Sequence, residues 1–357
     1  MNRWIQIFMA TFVAVALASG GGFWVVWTLN AQSMLATFED WAAERRASGY
    51  QVTYDEVIIS GFPGTAALTV SGMEVAKPSD SLAWRWIPNQ VRIAPGATGA
   101  QHLTVSLLGT QTLTYRIGDE IRTAKFTAKR FRLDLRASSD GALDRLAFDL
   151  LGFALLRPQE GSPVTARRVL IQVSLGDGAG VLPLSTEAVL LFDTLVLPDH
   201  RNGPLGSTID LFEAKVRLLT RITSFDLPVA IEDWRKRGGK LAVSESHLRW
   251  SSLSARANGT LQVDEAFRPT GSLKAQIADF TSSLDAFWAA GRFNTEVMNA
   301  LLSALADILE VENVGIVPYD IRIEDGLIRV VDILGRKVEG AILGTVAPIF
   351  PFPQAPD

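Results

Sequence analysis

Residues 103–117, LTVSLLGTQTLTYRI, alternate between apolar and polar side chains and decide the fold. The apolar positions in this stretch are Leu103, Val105, Leu107, Leu113, Tyr115 and Ile117. Successive side chains of a β-strand point to opposite faces, so this period of two indicates strands with one apolar and one polar face. Such half-buried strands are typical of an antiparallel sheet.

The same period of two recurs further along the chain, at residues 169–175 and 212–218. Between Ile121 and Leu135 the apolar positions change parity, which predicts a β-bulge near Lys129. Gly- and Asp-containing turns separate the apolar runs, as at Asp325-Gly326. No repeat of fixed period is visible, so the pattern predicts a meander of antiparallel strands and not a solenoid.

The N-terminal segment carries no charged residue from Trp4 to Leu29. A helix rises about 1.5 Å per residue, so this run reaches roughly 36 Å and exceeds a hydrocarbon core of about 30 Å. Trp4 at one end, with Trp24 and Trp27 at the other, matches the aromatic residues found at both membrane interfaces. Because Arg3 precedes the run, the positive-inside rule places the N-terminus in the cytoplasm and the remainder on the non-cytoplasmic side.

Residues 1–30 are therefore predicted to be a single-pass signal-anchor in the inner membrane. A cleaved signal peptide is the alternative, because Ala16-Leu17-Ala18 has the form of a signal-peptidase site. The apolar run continues past that site to Trp27, which favours the uncleaved anchor. A buried helix of a soluble domain is a third interpretation.

Helical periodicity replaces the period of two at three places. Residues 31–49 predict an amphipathic linker helix ending at Gly49, with an apolar stripe formed by Met34, Leu35, Phe38, Trp41 and Ala42. Val229–Arg237 predicts a short helix stopped by Gly238-Gly239, and residues 282–309 predict a longer helical region packed on a sheet face. Four prolines in residues 341–357 predict an irregular surface tail. The predicted β-rich periplasmic domain occupies residues 50–340.

The predicted fold class is mainly β. It consists of an N-terminal transmembrane helix followed by a large curved antiparallel sheet with a few covering helices.

Composition excludes several kinds of chemistry. The chain has no cysteine, which rules out disulfides, thiolate zinc sites and cysteine nucleophiles. The formal net charge of −4 gives no electrostatic basis for binding nucleic acid. Basic residues beside aromatic ones, as at Trp84-Arg85-Trp86 and Lys129-Arg130-Phe131-Arg132, could contact anionic headgroups, but the outer polar face of a sheet is the simpler interpretation.

No catalytic motif is visible. The three histidines, His102, His200 and His247, are far apart in sequence, and each is predicted to be a solvated or hydrogen-bonded side chain. Residues 176–180, GDGAG, lack the Lys-Ser/Thr of a phosphate loop and predict a hairpin turn. The sequence therefore predicts no enzyme, no cofactor and no metal. A hydrolase remains the alternative if folding gathers Asp, Glu or Ser side chains around His102 or His247.

Several short motifs resemble a family of Gram-negative envelope proteins defined only as a domain of unknown function, DUF2125. Beyond the N-terminal anchor, the motifs are Gly61-Phe62-Pro63, Trp84 and Trp86, Gln101-His102-Leu103, Trp234, Gly238-Gly239-Lys240-Leu241, Leu248-Arg249-Trp250, residues 259–264, Pro269, residues 271–273 and residues 277–280. The C-terminal block also resembles strand–turn–strand units of AsmA-type envelope proteins, which have long curved sheets with an apolar surface. This second resemblance concerns the fold alone and implies lipid handling only by analogy. The DUF2125 family carries no assigned catalytic residues, so none is transferred.

An antiparallel sheet with one apolar face must cover that face, and a helix about 10 Å wide covers only part of it. The rest of the face must be closed by a second sheet layer, by curling of the sheet or by a lipid. Membrane lipid is the predicted ligand, in a protein for envelope maintenance. The alternative is an anchored scaffold or assembly factor that binds an envelope protein partner. The predicted ligand-lining residues are Leu103, Val105, Leu113, Tyr115, Val169, Ile171, Val216, Leu248 and Trp250.

Overall fold

A computed structural model describes residues 3–78, 83–96, 101–117, 120–157, 162–176, 182–198, 205–223, 227–278, 317–333 and 336–345. Side chains are described within residues 24–331 of these ranges, except for 117, 227–229 and 317–318.

The described residues form two helices and eighteen strands. The helices are α1 (Arg3–Ala47) and α2 (Leu227–Lys236). The strands are β1 (Gln51–Thr53), β2 (Glu56–Ser60), β3 (Ala67–Ser71), β4 (Glu74–Lys77), β5 (Trp84–Pro95), β6 (His102–Ile117), β7 (Glu120–Thr127), β8 (Arg130–Ala137), β9 (Leu143–Leu156), β10 (Val164–Ser174), β11 (Glu187–Val196), β12 (Thr208–Leu218), β13 (Leu241–Trp250), β14 (Leu253–Val263), β15 (Pro269–Ala278), β16 (Val317–Glu324), β17 (Leu327–Ile333) and β18 (Arg336–Thr345).

All eighteen strands belong to one sheet, and every recorded pairing is antiparallel. From β9 to β18 each strand pairs with its predecessor and its successor in the chain. Near the start, β3 and β4 lie end to end along one edge of β5, with β2 added to β3 and β1 added to β4. The predicted antiparallel meander is confirmed, and it arises because short turns connect strands whose apolar faces match.

The predicted bulge near Lys129 is also confirmed. The position between β6 and β9 in the sheet is filled by two consecutive strands, β7 and β8. Lys129 lies between the end of β7 and the start of β8. Along β6 the chain advances five residues from Ser106 to Gln111, while the facing chain advances six from Phe126 to Arg132. The extra residue moves the following side chains to the opposite face, which explains the change of parity in the sequence.

Helix α1 packs its C-terminal part on the first strands. Phe38 and Ala42 are buried against Val52, Leu68 and Val70 in one apolar cluster. The helix does not begin again at residue 31, because nothing between Asn30 and Ser33 breaks a helix; the predicted linker helix is the continuation of α1.

The end of α1 follows the prediction for Gly49, which has a left-handed φ of +83°. The Tyr50 amide donates to the Arg45 carbonyl at 3.0 Å, and the Gly49 amide donates to the Arg46 carbonyl at 3.1 Å. This pair of bonds is the Schellman arrangement, in which glycine relieves the strain of the left-handed residue.

Among the described residues, no helix combines the length and the apolar character needed to cross a membrane. The predicted anchor lies within α1, but its side chains up to Phe23 fall outside the described residues. The anchor therefore stays a prediction.

The remaining helix predictions have different outcomes. The short helix predicted at Val229–Arg237 is confirmed as α2. The helical region predicted at residues 282–309 lies outside the described residues. Strand β18 runs to Thr345, so the segment predicted as a Pro-rich tail begins inside a strand. The first of its prolines is Pro348, which leaves residues 341–345 free to pair.

Candidate functional site

The sheet carries one apolar face that crosses many strands, hereafter the apolar face. In an antiparallel sheet, residues directly opposite each other on neighbouring strands point to the same side. Three such rows cross the sheet from β6 or β8 to β12, β13 or β15. The first row is Leu103, Leu135, Leu146, Val173, Ala188, Val216 and Val243. The second is Val105, Leu133, Phe148, Ile171, Leu190 and Ala214, and the third is Phe131, Leu150, Val169, Phe192, Phe212, Leu248, Ala255 and Ile277.

All nine residues predicted to line a ligand lie on this face. Six of them fall in the three rows, two in each. Trp250 follows Leu248 at the period of two on β13. Leu113 and Tyr115 lie opposite Trp86 and Trp84, which pack against the same buried cluster as α1. The nine residues therefore share a face that spans many strands, and they do not converge on one pocket. Their role as ligand contacts stays a prediction.

The apolar face is neither fully buried nor fully exposed. Val169 is buried, with 7% of its surface accessible, whereas the other eight predicted residues are only partly buried. Large side chains such as Phe192 and Phe212, whose ring centroids lie 6.1 Å apart, also keep part of their surface accessible. This partial exposure leaves apolar surface that a further molecule could cover.

Helix α1 covers one end of this face. Its side chains at Met34, Leu35, Phe38 and Ala42 pack against strands β1 to β6 and against Phe131 of β8. A second apolar cluster is centred on Leu150, Ala166 and Val169, and its described members all belong to strands or to the bulge between β7 and β8.

The opposite face of the sheet is polar and holds ion pairs between neighbouring strands. Asp149 of β9 accepts from Arg130 at 3.1 Å and from Arg168 at 2.9 Å. Arg132 contacts Asp134 at 2.7 Å. The basic run at residues 129–132, considered above as a headgroup contact, thus places two of its arginines in ion pairs of the outer face, which favours the simpler interpretation.

His102 is the histidine with the clearest polar surroundings. Its Nε2 lies 2.9 Å from Oδ1 of Asp134, and the Thr104 hydroxyl donates to the same oxygen at 2.7 Å. Burial raises the pKa of Asp134, but hydrogen bonds from Arg132, Thr104 and His102 outweigh it and leave the pKa below its ordinary value.

This cluster bears on the hydrolase alternative because it brings a carboxylate to His102. In a nucleophile–base pair the hydroxyl would donate to the imidazole, but here the Thr104 hydroxyl donates to Asp134. The arrangement is a hydrogen-bonded cluster between β6 and β8 and lends the hydrolase no support. His247 lies on the polar face opposite Glu213 and Arg256, and His200 lies outside the described residues. No group of three potential metal ligands occurs among the described residues.

Sequence reasoning missed a shallow polar groove on the outer face at β14–β16, with a volume of about 580 Å³. Its charged lining residues are Lys240, Arg322 and Glu324. Lys240 precedes β13, whereas Arg322 and Glu324 both belong to β16, and no local motif marks them. Only the strand register brings them together.

Comparison with known proteins identifies the family of this chain. Residues 27–331 match the model of a family described as uncharacterised proteins conserved in bacteria, DUF2125. The chain is a member of the DUF2125 family. No curated protein and no solved structure matches the chain. The predicted DUF2125 membership is therefore confirmed, while the resemblance to AsmA-type proteins and the envelope role stay predictions.

Proposed function

We propose that this DUF2125 chain is a non-enzymatic, single-pass protein of the inner membrane that binds acyl chains of membrane lipid on its periplasmic apolar face. Its role is envelope maintenance. The observation that carries the proposal is the run of apolar rows across the sheet, which α1 covers at one end. The uncharged N-terminal run supports the location, because it would hold the domain next to a bilayer.

The energy scale of apolar burial supports this ligand class. Burial contributes about 25 cal/mol per Å² of apolar surface, so covering about 300 Å² contributes roughly 7 kcal/mol before the entropy cost of binding. An acyl chain needs no hydrogen-bond partners along its length, and the rows offer almost none. A polar ligand would instead leave its polar groups unpaired there, at a cost of about 1–3 kcal/mol each.

The alternative is an anchored scaffold or assembly factor whose apolar face binds another envelope protein. The same surface supports this alternative, since the cores of protein interfaces are rich in aromatic side chains such as those of Phe192 and Phe212. The two proposals differ in what covers the apolar face in the cell.

Photo-crosslinking in cells tests the proposal with the full chain. A photoreactive phenylalanine analogue replaces Phe192 on the apolar face, and in a control chain it replaces Val189 on the opposite face of the same strand, where 39% of the side chain is exposed. After growth with radioactive phosphate, we expect labelled lipid on the chain modified at 192 and much less on the chain modified at 189. Equal labelling at both positions would contradict lipid binding, and a crosslinked protein at 192 without lipid would favour the scaffold.

A further inference from the structure

The loop between β2 and β3 presents an apolar tip. Residues 61–65, GFPGT, are all exposed, and Phe62 keeps 50% of its surface accessible. The chain has no charged residue from Val57 to Met73, so the loop and both of its strands beyond Glu56 are uncharged. A surface loop made of an aromatic residue, a proline and two glycines without any charge is unusual for a segment that faces only water.

This loop touches α1 near the end of the predicted membrane span. The rings of Phe62 and Trp27 meet edge to face, with centroids 5.5 Å apart and an interplanar angle of 81°. Around this contact the helix exposes further apolar side chains, namely Trp24 (54%), Val25 (48%), Val26 (57%) and Leu29 (61%). Trp24 lies three residues before Trp27 and therefore on the same side of the helix. The loop, Trp24 and Trp27 are hereafter the Trp27–Phe62 surface.

The Trp27–Phe62 surface lies at one end of the sheet. The C-terminal end of α1 lies at the other end, where the Arg46 guanidinium donates to the Val52 carbonyl at 2.9 Å. The helix therefore runs along the sheet, and its N-terminal part leaves at the end that carries Phe62. If residues 1–30 cross a bilayer, Phe62 is held where the helix emerges from it.

We propose that the loop formed by residues 61–65 inserts into the interfacial layer of the phospholipid bilayer beside Trp24 and Trp27. Aromatic side chains are favoured at that depth because their rings are apolar and tolerate a partly hydrated environment. No charge has to be dehydrated when the loop enters. This inference rests on the proposed anchor but does not depend on lipid binding by the apolar face.

The loop would give the domain a second contact with the bilayer, in addition to the helix, and this contact would set the orientation of the domain. One helix alone leaves the domain free to tilt, whereas a helix and a loop together define a plane. The apolar face begins next to this loop, because Ile59 and Leu68 flank it and face each other on β2 and β3. Loop insertion thus places the first strands of the apolar face beside the lipid.

Fluorescence quenching in vesicles tests the inference with the full chain. Because the chain has no native cysteine, Phe62→Cys introduces a single site for an environment-sensitive label. Thr65→Cys provides a second labelling site in the loop and retains the contact between Phe62 and Trp27. Ile121→Cys is the matched control, because Ile121 is apolar, 70% exposed and located at the opposite end of the sheet, at the start of β7.

The labelled chains are reconstituted in vesicles of phosphatidylcholine and phosphatidylglycerol that carry a nitroxide high on the acyl chain. We expect quenching to be at least about twofold greater at positions 62 and 65 than at 121. Equal quenching at the three positions, in a chain that stays with the vesicles at alkaline pH, overturns loop insertion but leaves the anchor intact. Release of the chain at alkaline pH overturns the anchor itself and the inference with it. Shielding of position 62 from iodide without lipid quenching indicates that the loop is covered by the chain itself and also overturns the inference.

Discussion

At the scale of single residues, Gly61 gives the loop its shape. Its φ of +111° is unfavourable for any residue with a Cβ, and a Cβ there would lie 2.1 Å from the Thr65 carbonyl oxygen. We expect Gly61→Ala to lower the free energy of unfolding by about 2 kcal/mol or more, measured by urea denaturation.

Gly141→Ala is the matched control for that change. Gly141 also has a positive φ, +86°, but a Cβ there meets no atom within 4 Å. The free energy of unfolding of this variant should fall by only about 1 kcal/mol, because backbone strain is the only cost. Equal losses in both variants would contradict the steric role of Thr65.

The lowered pKa of Asp134 predicts that the stability of the folded chain depends on pH. Its pKa in the folded chain lies below its ordinary value of 3.8, so the unfolded chain binds the proton more tightly. The stabilisation is complete above pH 3.8 and is lost as the pH falls below that value through the folded pKa. We expect Asp134→Asn to lower the free energy of unfolding at neutral pH by about 1–3 kcal/mol and to reduce its dependence on pH below 3.8.

Denaturation series between pH 2 and pH 7 measure this effect. Glu39→Gln, which changes an exposed carboxylate on α1, serves as the control and should leave the series nearly unchanged. If Asp134→Asn preserves the full acid sensitivity of the unmodified chain, the hydrogen-bonded cluster around Asp134 does not contribute to that sensitivity.

Local alternation in the sequence predicted residues of the apolar face correctly, because strand side chains have a strict period of two. Leu103 and Val216 were chosen from separate stretches and lie in the same row. The partnership of His102 with Asp134 could not be predicted, because it depends on the register between β6 and β8 across 32 residues of sequence. Register is a tertiary property that depends on the turns and bulges.

At the scale of elements, α1 is stabilised by the side chains it buries. Phe38 is 7% exposed and packs edge to face on Tyr54, with ring centroids 5.2 Å apart. We expect Phe38→Ala to destabilise the folded chain by about 3–5 kcal/mol, measured as a lower midpoint of urea unfolding, because it leaves a cavity under the helix.

Glu39→Ala is the control for that experiment, since Glu39 is the exposed neighbour of Phe38. It should change stability by less than about 0.5 kcal/mol. A similar small change in Phe38→Ala would show that the helix is not held by this contact.

The helical stripe predicted at residues 34–42 was right for Phe38 and Ala42, which are both buried. Trp41 differs, because 37% of its surface remains exposed and its ring stacks on Phe38 from outside at 5.9 Å. Periodicity places Trp41 at the margin of the stripe, where a large ring can reach the core only with its edge.

At the scale of the whole molecule, hydropathy patterns predicted one large antiparallel sheet but not its extent. Alternation specifies that each strand has an apolar face, and short turns make neighbours in the chain neighbours in the sheet. Neither feature determines how many strands the sheet contains. The continuity from β9 to β18 follows from matched registers that single strands do not encode.

The sheet order of the eighteen strands has a consequence for how the chain acquires its shape. Most strands pair with one that came shortly before them, so most of the loops to be closed are short and their closure entropy is small, although residues 279–316 separate β15 from β16. The sheet can therefore grow at a single advancing edge, one hairpin at a time, in the order in which the chain is synthesised or exported. Helix α1 and the first strands would then provide the template on which every later strand is added.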